Sequence, residues 1–206
     1  WRWAASVSFA PRSPRSPRGA PFASSVLTSE VGLKVGDLNL VVSRPVQYRF
    51  ADPIRGELRR FVNVVPKVTI GLDTSLLIVP LGNTPRRQRV VARIMSGSAE
   101  PVSGAIRLQI PAGWSVSPQE APFTLQKADE QASAAFTLTA PGNRHVGRFD
   151  IAAAARVGGA TFSQDVQVIS YPHIQTHRLY WPAHAGVEGI DLKVAPVRVG
   201  YVMGGG

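Results

Sequence analysis

The sequence predicts an all-β fold, organised around one antiparallel β-sandwich with partial β segments on either side. Its 17 prolines and 19 glycines, against only 17% charged residues, indicate many short segments separated by turns. Apolar and polar residues alternate over short runs, which is the period of a half-buried strand. No run carries a 3.6-residue apolar period over the length of a helix.

Residues 1–29 are predicted to form a disordered, basic linker or tail. Residues 10–21 repeat proline, serine and arginine, and proline fixes φ and lacks an N–H donor, so neither a helix nor a central strand can form there. A basic recognition tail is the second interpretation of this segment. The chain starts at Trp1 without the continuous apolar stretch of a signal peptide, and we interpret it as a piece of a longer protein.

Residues 30–66 are predicted to be a β segment that ends a preceding domain. Short apolar runs are separated by Gly36-Asp37, a hairpin-type turn signal, and by Arg44-Pro45. A set of strands this small cannot bury a full core alone, so we expect it to complete another domain.

Residues 67–170 are predicted to form an antiparallel, immunoglobulin-like sandwich, because about a hundred residues suit seven to nine strands. In the strand around Val90, that residue shares one face with Ala92 and Ile94, whereas Arg89 and Arg93 lie on the other. Ten residues are expected inside the sandwich: Val90, Ala92, Ile94, Ile106, Leu108, Ile110, Phe136, Leu138, Phe149 and Ile151.

Residues 171–193 contain two prolines among aromatic and histidine residues and are predicted to be a connector. Residues 194–206 then predict a buried strand that ends at a triple glycine. A glycine cluster after a strand can open a phosphate-binding turn, but the helix that would complete it is missing here.

The formal charge of +10 raises nucleic acid as a partner. Residues 1–29 carry four arginines and no acid, and the remaining excess is spread along predicted strands. Because there is no basic helix and no aromatic-rich nucleic-acid motif, we predict no specific nucleic-acid partner. The absence of cysteine excludes disulfides and thiolate metal sites. No apolar run is long enough to predict a membrane span.

Three histidines, His173, His177 and His184, raise the possibility of a zinc site. Pro172 and Pro182 favour an extended connection, and residues four apart in a strand lie roughly 13 Å from one another, too far to share a metal ion. No Gly-x-Ser-x-Gly elbow is present for a nucleophile. We therefore predict no catalytic residue, no cofactor and no metal site.

Trp114 is the one candidate for carbohydrate contact, because aromatic faces can stack on sugars. Its position before Val116 favours packing over one end of the core, since a tryptophan buries a large apolar area. The paired carboxylates Asp129-Glu130 lie between two predicted strands and are interpreted as a solvated turn.

Two sets of motifs carry a family resemblance. Residues 110–118 (IPAGWSVSP) and 123–125 (FTL) resemble the immunoglobulin-like modules appended to bacterial glycosidases, of the α-galactosidase-associated type. Residues 44–60 (RPVQYRFADPIRGELRR), 64–66 (VVP) and 171–183 (YPHIQTHRLYWPA) resemble the region that follows the catalytic domain in large bacterial PIG-L family deacetylases.

The second resemblance implies a zinc-dependent parent enzyme that removes acetyl groups from N-acetylglucosamine-type sugars. The family's His-Pro-Asp-Asp type metal motif is missing from this sequence, so no catalytic residue is carried over. Residues 194–206 would be the first strand of a truncated α/β domain. The resemblance implies a secreted or periplasmic structural module whose partners are the neighbouring domains of its parent. The alternative function is a carbohydrate-binding module that contacts polysaccharide.

Overall fold

A computed structural model describes residues 2–9, 27–142, 147–191, 197, 198 and 200. Within these residues the backbone forms strands and no helix, which confirms the all-β prediction. It follows that no helix suited to crossing a membrane occurs in the described part of the chain. The chain divides into two compact units, one of residues 1–66 and 167–179, the other of residues 67–166 and 180–206.

The first unit contains a three-stranded antiparallel sheet and a β-hairpin. Its strands are β1 (Arg2–Phe9), β2 (Leu27–Val35), β3 (Leu38–Pro45), β4 (Gln47–Asp52) and β5 (Gly56–Phe61). The predicted turn joins β2 to β3, where Gly36 has a φ of 61°, a conformation that glycine adopts without steric cost. Pairing of Val35 with Leu38 leaves the two-residue loop that the sequence indicated.

Strand β1 lies in the segment predicted to be disordered, so that prediction is corrected for residues 2–9. These residues pair with β2 from Arg2 opposite Lys34 to Phe9 opposite Leu27. The sequence alternates Trp3, Ala5, Val7 and Phe9 with smaller or polar residues, a strand period that the neighbouring proline-rich run obscured. The prediction for residues 10–26 lies outside the described residues.

The second unit is a two-sheet sandwich. Its strands are β6 (Val68–Leu72), β7 (Leu76–Pro80), β8 (Arg86–Ser96), β9 (Val102–Gln109), β10 (Ser115–Ser117), β11 (Ala121–Leu125), β12 (Gln131–Ala140), β13 (Gly147–Val157), β14 (Ala160–Phe162) and, later in the chain, β17 (His184–Ile190). Between β14 and β17 come β15 (Gln164–Ile169) and β16 (His177–Pro182), which pair as a ribbon and are each divided between the two units. One sheet has the order β10-β12-β8-β6, and the other β11-β9-β13-β17-β7 with β14 paired to β13.

The core lies between these sheets and has the predicted register. Arg89 and Arg93 are exposed, as expected for the outer face of β8. Ile110 is partly buried against the core. Eight of the ten predicted interior residues are buried, namely Val90, Ala92, Ile94, Ile106, Leu108, Phe136, Leu138 and Ile151.

Phe149 corrects the predicted interior, because 37% of its surface is exposed. It has the same parity as the buried residues Ile151 and Ala153 on β13. Strand β9, however, pairs only with residues 152–156 of β13. Phe149 therefore lies beyond the part of β13 that pairs with β9, which accounts for its exposure.

Strand β17 corrects the predicted connector for residues 184–190. It lies between β13 and β7 in the larger sheet, and its Ala185 and Val187 are fully buried. Its two glycines lower its strand propensity, which explains why the sequence pattern missed it. The pairing of β17 with β7 is parallel, whereas the prediction was antiparallel throughout. Most of residues 194–206, predicted as a following strand, lie outside the described residues.

Candidate functional site

The turn before β10 fixes the position of Trp114. Its backbone N–H donates to the Pro111 carbonyl at 3.2 Å, and Gly113 has a φ of 79° at the third turn position. A type II turn requires positive φ at that position, which glycine supplies without strain. The hydrogen-bonded Pro-Ala-Gly-Trp turn therefore sets the position of Trp114 at the start of β10. From this turn, which forms a corner of the chain, the side chain is directed towards the core.

From this corner the Trp114 side chain packs against the core while remaining partly exposed. Val116, two residues further along β10, packs against the core from the same face of the strand. Packing is thus the main role that the structure assigns to this tryptophan. A contact of the exposed part of the ring with a sugar remains a prediction.

The three histidines lie in different elements. His173 lies before β16 and stacks on Tyr171 at 6.0 Å between ring centroids, while His177 begins β16 and His184 begins β17. The His184 Nδ1 atom lies 3.0 Å from the Pro182 carbonyl oxygen. Among the described residues, no group of three potential ligands is placed to hold a metal ion.

The carboxylates with perturbed pKa values are all held in the charged form. Two backbone N–H groups, of Arg55 and Ile54, lower the pKa of Asp52. A hydrogen bond from Arg59 lowers the pKa of Glu57, and one from Arg107 lowers that of Glu120. General-acid catalysis near neutral pH needs a raised carboxyl pKa, so these groups are suited to ion pairing and turn formation.

The predicted turn at Asp129-Glu130 joins β11 to β12. Glu130 closes it, because its carboxylate accepts the N–H groups of Gln126 at 2.6 Å and Lys127 at 3.1 Å. Asp129 has a φ of 61°, a conformation that aspartate tolerates better than most residues. These two acids therefore shape the loop.

Within the first unit, Gln175 binds the free edge of β5. Its Oε1 accepts the N–H of Phe61 at 3.2 Å, and its Nε2 donates to the Arg59 carbonyl at 2.9 Å. Its carboxamide thus replaces the neighbouring strand that this edge lacks. A third bond, from Arg60 Nη2 to the Pro172 carbonyl at 2.9 Å, holds the same segment to the hairpin.

We call these three hydrogen bonds the Gln175 clamp. They join the two sequence segments 44–60 and 171–183, which lie more than a hundred residues apart and carry one of the two family resemblances. Sequence reasoning did not identify Gln175, because a glutamine in a polar connector has no local pattern that indicates a partner on β5.

Comparison with protein families gives one match. Residues 87–158, about a third of the chain, match the NPCBM-associated, NEW3 domain of alpha-galactosidase. The matched residues run from β8 through β13 and include the turn that carries Trp114. They therefore cover the centre of the sandwich.

Two solved structures are similar to this chain at low identity. The ASH/PapD-like domain of human CEP192 (PapD-like domain 7) shares 9% identity with a TM-score of 0.33, covering 64% of this chain and 92% of that domain. The E. coli chaperone DraB shares 10% identity with a TM-score of 0.30, covering 62% of this chain and 58% of the chaperone. No curated protein gave a significant match.

Proposed function

We propose that this chain is a non-catalytic accessory module of a larger carbohydrate-active enzyme, in which it acts as a structural spacer. The match of residues 87–158 to the NEW3 domain supports an accessory, carbohydrate-associated role.

The Gln175 clamp is the observation that carries the spacer function. Along the sequence the first unit is interrupted after residue 66 and resumes at residue 167, with the sandwich strands β6 to β14 between. The clamp ties the outgoing hairpin to the returning segment within the first unit. The clamp therefore joins two parts of the first unit that most of the sandwich separates along the sequence, which is a structural role suited to a spacer.

The parent enzyme that we propose is a PIG-L type N-acetylglucosaminyl deacetylase, secreted or periplasmic. The support is the resemblance of residues 44–60 and 171–183 to that family. These are the two segments that the Gln175 clamp joins, so the resemblance falls on residues that are structurally coupled.

The second candidate function is a carbohydrate-binding module that uses Trp114. One observation favours it, since part of the indole stays exposed at the end of the core on a rigid turn. The contacts described for the Trp114 ring are with the hydrophobic core. Ligand sites combine apolar surface with a few convergent polar groups, so a single ring would orient a sugar poorly.

Retention on insoluble chitin, insoluble peptidoglycan and soluble N-acetylglucosamine oligomers separates the two functions. The spacer predicts equal, weak retention of the wild-type chain and of Trp114→Ala on all three. Trp181→Ala is the matched control, because Trp181 is exposed to 40% of its surface in the same unit. Specific retention that Trp114→Ala abolishes and Trp181→Ala leaves intact would replace the spacer with the binding module.

A further inference from the structure

A row of arginines runs along the outer face of β8. Arg87, Arg89 and Arg93 are exposed, while Val90 and Ala92 between them point into the core. Residues two apart on one face of a strand are roughly 7 Å apart, so the three guanidinium groups span about 20 Å along β8. The positive charges are thus arranged in a line along one strand.

Hydroxyl side chains continue each row across the sheet. Arg87 lies opposite Thr139, which lies opposite Ser115, and Arg89 lies opposite Thr137, which lies opposite Ser117. Directly opposed residues point to the same face, so two successive rows each carry a serine, a threonine and an arginine. Strand spacing makes each row about 10 Å wide.

Three arginines elsewhere in the described part of the chain are paired with carboxylates, whereas those on the outer face of β8 are not. Arg49 and Arg59 pair with Glu57, and Arg107 pairs with Glu120. No ion pair of Arg87, Arg89 or Arg93 is found in the described part of the chain.

Two carboxylates lie near this face. Asp73 accepts the N–H of Val91 at 3.0 Å, and Asp165 lies over Gly71, the residue opposite Arg93. Asp165 reduces the positive charge at the Arg93 end of the row. Asp73 lies beside Val91, between Arg89 and Arg93, so the positive charge of the face is least compensated towards its Arg87 end.

We infer that the outer face of the four-stranded sheet binds a linear acidic polysaccharide, with Arg87 and Arg89 contacting its carboxylate or sulfate groups. Arginine presents a planar fork of donors that matches such groups in a bidentate manner. The serine and threonine hydroxyls beside it can donate to and accept from sugar hydroxyls. This role goes beyond that of a spacer and does not depend on the identity of the parent enzyme.

The chemistry of the face favours a polysaccharide over the other polyanions. The two rows hold no aromatic residue on which nucleic-acid bases could stack, and they span three strands of a sheet, which is wider than the helix or two-stranded ribbon that the major groove of DNA admits. Its apolar members are Val91 and Met95, both half-buried, and the small Ala135, which offer little to insert into a bilayer.

Affinity measurements on immobilised polygalacturonate, dextran sulfate and neutral dextran at an ionic strength of about 0.15 M test this inference with the full chain. The key variant is Arg87→Gln/Arg89→Gln. Its matched control is Arg148→Gln/Arg156→Gln, which removes the same charge from the outer face of the other sheet. Arg87→Lys/Arg89→Lys keeps the charge and removes the planar fork, and circular dichroism checks that each variant is folded.

We expect binding to at least one acidic polymer and none to dextran, with at least a tenfold loss in the key variant. The control should lose less than about threefold, since distant charges are screened by salt. The polygalacturonate and dextran sulfate arms show whether carboxylate or sulfate is preferred.

Three results would overturn the inference. The first is no binding of the wild-type chain to either acidic polymer. The second is an equal loss in the key variant and its control, which would indicate net charge alone. The third is tighter binding to single-stranded oligothymidylate than to both polysaccharides, which would make nucleic acid the ligand.

Discussion

Both sheets of the sandwich bury large side chains, but two adjacent strands of the larger sheet, β13 and β17, also bury alanines at their centre. The four-stranded sheet supplies Phe136, Ile70 and Ile94, whereas the middle of the larger sheet supplies Ala153 and Ala185. Protein interiors are close-packed, so small residues on one layer leave the volume that large residues on the other layer fill. The comparison indicates that the large core residues should be sensitive to truncation and the central alanines to enlargement.

Truncation of a large core residue should give the largest effect. Phe136 is fully buried on β12, opposite Val90, so Phe136→Ala leaves a cavity and should lower the free energy of unfolding by roughly 3 to 5 kcal/mol. Chemical denaturation of the variant measures the change. Phe149→Ala is the matched control, because this phenylalanine is partly exposed and should cost about 1 kcal/mol or less. Equal losses in the two variants would refute the assigned core.

Enlargement of a buried alanine should give the next largest effect. Ala153 is fully buried at the centre of β13, so Ala153→Leu inserts atoms into a filled space and should cost about 1 to 3 kcal/mol. Ala154→Leu places the same side chain on the outer face of the same strand, opposite Arg107. If Ala154→Leu lowered the melting temperature as much as Ala153→Leu does, the close packing assigned around Ala153 would be contradicted.

The same contrast explains which parts of the fold could be predicted from sequence. Strand β8 alternates bulky apolar residues with arginines, so its existence and its register were both predictable. Strand β17 buries alanine, valine and glycine, a composition without strong strand propensity, and it was assigned to a connector. Phe149 shows that alternation defines the face of a residue but not how far the neighbouring strand extends.

The candidate sites were predictable only where a local motif specifies them. The Pro-Ala-Gly-Trp turn specified the packing of Trp114 against the core. The Gln175 clamp joins residues separated by 114 positions at the Phe61 bond, and no local pattern encodes such a pairing. The alternation of β8 predicted its exposed arginines, but the serine and threonine rows beside them depend on the pairing of three strands.

Loss of the Gln175 clamp should have a moderate and local effect. Gln175→Met keeps most of the side-chain volume but removes the hydrogen bonds to Phe61 and Arg59, each worth about 0.5 to 1.5 kcal/mol. Amide exchange at Phe61 should therefore accelerate by roughly tenfold, measured by nuclear magnetic resonance. Gln47→Met, on the exposed strand β4 of the same hairpin, should leave that rate unchanged. Unchanged exchange in Gln175→Met would show that the clamp does not form.

The smallest effect is expected at the exposed pair of Arg107 and Glu120, 2.8 Å apart. The hydrogen bond from Arg107 lowers the pKa of Glu120 below its usual 4.5, so the pair stabilises the folded state above that pH. This contribution is lost as the pH falls through the lowered pKa. Glu120→Gln should therefore melt slightly below the wild type at pH 7 and level with it under strongly acidic conditions. A gap that widened on acidification would contradict the assigned direction.

The central claim, a non-catalytic accessory module, is tested most directly by calorimetric titration with zinc, combined with a deacetylation assay on N-acetylglucosamine oligomers. A zinc-dependent deacetylase needs a metal held by several side chains with an open position for water, and a carboxylate to take the proton. We predict neither stoichiometric zinc binding nor acetate release, and identical titrations for the wild type and His173→Ala. Stoichiometric binding with sub-micromolar affinity that His173→Ala abolishes would contradict the account.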